Sequence, residues 1–155
     1  MVARINGYCL GAGLEVAACC DIRLASLDAL FGMPEVLIGI PSVIEAAILP
    51  RLIGLGRAKD LVMTGRTIDA HCAAEWGLID RPVAIEALDD LVTERVNQLL
   101  SADAQALTLQ KRLALQWEEL PLSAAIEAGI DAFSEAYKTD EPNRRMHAFL
   151  DRKKS

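Results

Sequence analysis

Gly11-Ala12-Gly13-Leu14-Glu15 joins a short β-prone run to a helical one, and residues of these types at such a junction can do acid/base chemistry on a bound carbonyl. At a strand-to-helix start the first backbone N–H groups lack helical partners and point outward, and the helix dipole adds positive potential, so an anion is favoured there. The small residues let a ligand come within hydrogen-bond distance of the backbone. Glu15, in the first helical turn, then stands beside whatever those N–H groups hold. A carboxylate next to a stabilised oxyanion is the equipment for moving a proton at the carbon adjacent to a carbonyl. Two other readings compete. Gly11-x-Gly13-x-x-Val16 resembles a dinucleotide fingerprint, but its third position is Val where close helix packing wants Gly or Ala, and the full βαβ context is not visible. The plainer alternative is a glycine-rich helix start whose acidic residue serves only the dipole. Taken alone, the stretch fits that alternative better.

The elements that must position these residues can be read from periodicity and from Gly and Pro. Residues 2–5 read as a strand ending at Asn6-Gly7, and Gly11-Ala12-Gly13 opens a helix through Cys19. Residues 21–26 form a second strand and Leu30-Phe31 a third. Pro34 breaks local regularity, and Pro41-Ser42 is expected to open a helix over 43–52 that Pro50 bends or ends. Glu45 then falls in the first turn of that helix. Short helices are expected at 57–63 and 70–76, the second capped by Asp69 and stopped at Gly77. After a brief strand around 78–83 the pattern is nearly all helix. Ile85, Leu88, Leu91, Val92, Val96 and Leu99 make one amphipathic stripe. Leu122, Ile126, Ile130, Phe133 and Tyr137 make a cleaner one, expected to be core or an oligomer contact. The fold class is α/β, with an α/β portion over 1–83 and a helical region over 84–155.

Composition narrows the function classes. A net charge of -6 over 155 residues argues against a protein that binds a nucleic-acid backbone, which needs an excess of Lys and Arg on one face. The most apolar run, residues 36–49, is interrupted by Gly39, Pro41, Ser42 and Glu45 and is too short to span a bilayer. Cys9, Cys19, Cys20 and Cys72 form no CxxC pair and are expected to be reduced, in a cytoplasmic compartment. His71 and His147 lack metal-ligand spacing, so no metal is expected.

The balance between the readings shifts at the residues beyond the glycine loop. Asn6 to Glu15, Cys20-Asp21-Ile22-Arg23-Leu24-Ala25 and Phe31-Gly32-Met33-Pro34-Glu35 together are similar to the successive motifs of the enoyl-CoA hydratase/isomerase (crotonase) family. The Leu61-Val62-Met63-Thr64-Gly65 stretch, Gly77-Leu78-Ile79 and the Met146-His147-Ala148-Phe149 end extend the resemblance over nearly the whole chain. It implies the C-terminal part of a crotonase-like ββα spiral followed by a helical oligomerisation or capping region. It further implies that the Ala12 N–H is one of two donors to an acyl-CoA thioester oxygen, with Gly11, Gly13, Pro34 and Ser42 shaping the substrate site. Glu15 and Glu35 are then the paired acid/base residues of a hydratase that adds water to a trans-2-enoyl-CoA. The alternatives are an enoyl-CoA isomerase or other crotonase-type acyl-CoA chemistry, and a catalytically silent assembly or binding fragment. No cofactor is implied beyond coenzyme A as part of the substrate. The implied assembly is a homo-oligomer, a trimer or dimer of trimers.

The match departs from the family at three places. Where crotonases continue after the second glutamate through Pro-Gly-x-Gly-Gly-Thr-Gln, this chain has Pro41-Ser42-Val43-Ile44-Glu45-Ala46-Ala47. Bulkier residues therefore line that wall, and Ser42 is expected to cap the helix in place of glycine. Met1 stands just before the glycine loop, so the family's preceding portion, source of the second oxyanion donor, is expected to be missing or supplied as a separate N-terminal half. Losing one such donor costs on the order of a hundredfold to a thousandfold in rate. Finally, Arg144-Arg145 stands where the family has Glu-Gly. The end from Asn143 to Ser155 carries +4 against -10 for the rest. The resemblance assigns Arg152 and Lys153 to coenzyme A phosphates; the alternative is cations at a helix C-terminus.

Overall fold

A computed structural model of the chain describes residues 1–152, with side chains to residue 151. Two ββ steps build the first part. Strand β1 (Val2–Ile5) is followed by β2 (Tyr8–Leu10), and helix α1 (Ala12–Ala18) returns the chain to β3 (Ile22–Ala25) and β4 (Leu30–Gly32). Because the helix carries the chain back in the same sense, each strand of the second step lies parallel to its counterpart in the first. Val2 stands opposite Ile22 and Tyr8 opposite Leu30. This is the ββα stacking that the family resemblance implied. Strand β5 (Thr67–Asp69) then pairs antiparallel with β4, Phe31 opposite Ile68. The strand expected over 78–83 reduces to a single bridge between Ser26 and Val83.

Between β4 and β5 the chain folds as turns and short helices. A 3-10 turn over Pro34–Ile38 is entered through Pro34 and closed by Gly39 at φ +80°. Residues 40–43 have no regular structure, so the helix expected over 43–52 does not start there. A 3-10 turn over Ala46–Ile48 leads instead into α2 (Leu49–Ile53). Pro50, expected to break the helix, lies in its first turn, where its missing N–H costs nothing. Then come α3 (Leu55–Thr64) and α4 (Ala70–Glu75). Asp69 caps α4 as expected, its Oδ1 accepting from the Cys72 N–H at 2.8 Å.

Leu14, Phe31, Met33, Leu49, Leu61 and Leu78 are fully buried in one cluster that joins α1 to the strands and α2–α4. Arg23 ties the end of α1 to this core. Its Nε donates to the Leu78 carbonyl at 2.6 Å and its Nη1 to the Cys20 carbonyl at 2.5 Å.

Residues 1–96 and 97–155 form two compact units. Helix α5 (Ile85–Ser101) starts in the first, where Leu88 and Leu91 cluster with Leu24 beside Val2 and Ile22. The second unit holds α6 (Ala104–Trp117), α7 (Leu122–Ala136) and α8 (Glu141–Arg152). Helices α6 and α7 pack together, and their buried residues are Leu109 and Leu113 on one and Ala125 and Ala132 on the other. The stripe Leu122, Ile126, Ile130, Phe133 and Tyr137 is therefore not core: all five side chains are exposed. No helix among the described residues is long and apolar enough to cross a membrane.

Candidate active site

The glycine loop builds a ledge. Gly11 has φ +54° and ψ -127°, a conformation L side chains rarely adopt, and its N–H donates to the Gly32 carbonyl at 2.9 Å. That bond ties the start of α1 to the end of β4 and leaves Gly11 to act through its shape. The Gly11 carbonyl accepts from the N–H groups of Leu14 at 2.9 Å and Glu15 at 3.1 Å, the first bonds of the helix. The Ala12 and Gly13 N–H groups precede those bonds and have no acceptor within the helix. Both residues are exposed, and the space where a Gly13 Cβ would stand is open, so a ligand can reach this backbone.

The two carboxylates flank the ledge. Glu15 is 2% exposed, and its Oε2 accepts the Glu45 backbone N–H at 3.2 Å. Glu35 rides in the turn over Pro34–Ile38 and lies directly against Gly11, where an added Cβ would collide with its Oε1. Its Oε2 accepts the Ser42 hydroxyl at 3.1 Å. Ser42 thus binds Glu35 instead of capping a helix, and Glu45 contributes a backbone donor to Glu15 from the N-cap position of the turn over Ala46–Ile48. One irregular stretch, residues 42–45, touches both carboxylates. Cys19, at the C-terminal end of α1, has its thiol pushed up by burial first, then by the fields of Glu45, Cys20 and Glu15. Buried Cys9, whose Sγ donates to the Gly13 carbonyl at 3.6 Å, is pushed up to about 11 by burial.

Beside Ser42 opens an apolar groove of about 540 Å³, lined by Val36, Val43, Leu55, Val62 and Met63, with Lys59 among the lining residues. Pro34 supplies no donor and fixes the entry of the turn that carries Glu35. Of the expected phosphate-binding cations, Lys153 and the Arg152 side chain lie outside the described residues. Arg144 and Arg145 both bind Glu141, at 2.8 and 2.7 Å through their Nε atoms, and hold its carboxyl down at about 2. No group of three or more His, Cys, Asp or Glu side chains able to hold a metal occurs among the described residues.

The Glu45 N–H and the Ser42–Glu35 bond were not anticipated from the sequence. A backbone donor thirty residues from its acceptor leaves no trace in residue type. The serine hydroxyl had a signal, a polar residue seven positions after Glu35, but its expected place in a helix hid it.

Stacked parallel ββα steps, with a glycine-entered helix start flanked by two held glutamates, define a protein of the crotonase class. A profile of the enoyl-CoA hydratase/isomerase family matches residues 1–155. The chain belongs to that family. It is 36% identical over 156 residues to a crotonyl-CoA hydratase of Syntrophomonas wolfei, covering all of this chain and 60% of the relative. A short-chain-enoyl-CoA hydratase of Clostridioides difficile is 38% identical over 138 residues, covering 88% of this chain and 86% of the relative. The crystal structure of an enoyl-CoA hydratase subunit from Geobacillus kaustophilus superposes with a TM-score of 0.93 at 31% identity, covering 98% of this chain and 60% of that one. The chain thus spans about 60% of the length of the Syntrophomonas and Geobacillus proteins.

Proposed function

We propose that the chain performs enoyl-CoA hydratase-type chemistry, the reversible addition of water across the double bond of a trans-2-enoyl-CoA thioester. The observation that carries the reading is that Glu35 packs on Gly11 while Glu15 is held one turn into the helix that Gly11 opens. In this scheme the Ala12 N–H donates to the thioester oxygen, where negative charge builds as the water oxygen bonds to the β-carbon. The water loses one proton to a carboxylate and the α-carbon gains one from a carboxyl, so Glu15 and Glu35 exchange protons over the cycle. The groove beside Ser42 is apolar enough for a short acyl chain. Hydratases named for crotonyl and short-chain enoyl substrates among the relatives support that substrate class.

Loss of the enoyl absorbance of crotonyl-CoA on adding the protein tests the reading. Glu15→Gln and Glu35→Gln should each lower the rate by a factor on the order of a hundred to ten thousand. Should Glu15→Gln remove hydration but leave double-bond migration largely intact, an isomerase driven by Glu35 replaces this assignment. Absence of both activities, with no thermal stabilisation by coenzyme A, would leave the assembly reading, which the exposed α7 stripe supports.

A further inference from the structure

We infer that Ser42 is a positioning residue that selects which oxygen of Glu35 handles the proton. The inference rests on the hydratase reading and deepens it. A carboxylate turns about a terminal sp³–sp² torsion with broad, two-fold preferences, so packing of the stem alone does not decide which oxygen faces the substrate. Glu35 is carried by a short 3-10 turn at a half-buried position, and its two oxygens have different neighbours. Oε2 takes the Ser42 hydroxyl at 3.1 Å, whereas Oε1 lies against Gly11, the residue that precedes the Ala12 N–H proposed to hold the thioester. The hydroxyl occupies Oε2 and aims Oε1 at the reacting carbons. The same stretch fixes the second carboxylate through the Glu45 N–H on Glu15 Oε2, so the segment acts as one clamp on both. Ser42 also lines the apolar groove, and its bond to Glu35 is partly buried.

Two readouts separate this inference from the reading beneath it. In the 155-residue protein labelled with ¹³C at glutamate carboxyls, the Glu35 signal is assigned by its disappearance in Glu35→Gln. It should stand apart from the exposed glutamates in the wild type and in Ser42→Thr, and move toward them in Ser42→Ala. In crotonyl-CoA hydration, Ser42→Ala should lower kcat by about tenfold to a hundredfold with KM changed less than about twofold, and Ser42→Thr should restore most of the rate. A Glu35 signal unmoved in a folded Ser42→Ala protein overturns the tether whether or not the chain turns over substrate. A loss shared equally by the alanine and threonine variants, or confined to KM, overturns the positioning role. Wild-type inactivity with a Ser42-dependent carboxyl signal defeats the hydratase reading and leaves the tether standing.

Discussion

Gly11 is the residue on which the geometry turns, for two independent reasons. Its backbone angles belong to a region nearly closed to residues with a Cβ, and a Cβ at this position would run into the Glu35 carboxylate. Gly11→Ala is therefore expected to lower stability by about 1–3 kcal/mol through backbone strain. It should also displace Glu35, so that hydration falls far more than the lost stability explains. Thermal melts and crotonyl-CoA turnover on one preparation check this, and a variant retaining both stability and rate would show that the ledge tolerates side chains. The helix start was legible beforehand, since Gly11-Ala12-Gly13 already marked a strand-to-helix junction whose backbone a ligand could approach; the positive φ of Gly11 was not. Glu15 was legible too, as an acidic residue one turn into the helix. Glu35 had no such local mark; it became a candidate only through resemblance, because the turn that brings it to Gly11 is closed by tertiary packing.

Among the elements, those with a long period or a capping residue were readable, and so were the strands at β1, β3 and β4, whereas β2 and β5 were not. Helix α4 announced itself through Asp69 and Gly77, and α1 through its glycines. Strands β2 and β5 escaped the sequence reading, and both pair with β4. The helix expected over 43–52 begins only at Leu49, because the apolar residues before it at Val43 and Ile44 do not face the core, whereas Leu49 does. Val43 and Ile44 are exposed, and the chain spends residues 42–45 holding carboxylates before helical bonds begin. Arg23 shows how an element end is secured by a distant partner. Its guanidinium satisfies carbonyls at the end of α1 and at Leu78, with burial pulling its pKa down from the ordinary arginine value. Arg23→Met keeps most of the stem but leaves those carbonyls without their donor. The expected cost is about 1.5–3 kcal/mol of stability, read from urea unfolding. If α1 is loosened in this way, the catalytic rate should fall with it, since Glu15 and the Ala12 N–H both ride on that helix.

At the scale of the whole molecule the unexplained feature is α7. A helix whose buried residues are alanines and whose exposed face carries Leu122, Ile126, Ile130, Phe133 and Tyr137 has its small side inward and its large side in water. The Phe133 and Tyr137 ring centroids lie 4.9 Å apart with the planes tilted by 44°. Five large apolar side chains at helical spacing are exposed along α7, and Leu115 and Trp117 are exposed on α6. The trimer or dimer of trimers that the sequence resemblance implied predicts contact between copies of the chain, and this face is where that prediction is tested. Symmetric assembly suits it, because one surface repeated about an axis buries itself. Ile130→Asp together with Phe133→Asp places two charges in the middle of that face and touches neither Ala125 nor Ala132. The variant should keep the helical content of the wild type while sedimenting as a smaller species, and its melting temperature should lose the concentration dependence expected of an assembling wild type. Wild-type protein that sediments as a monomer at tens of micromolar would remove the case for assembly. A double variant that unfolds instead of dissociating would show that the exposed face of α7 stabilises the folded chain itself.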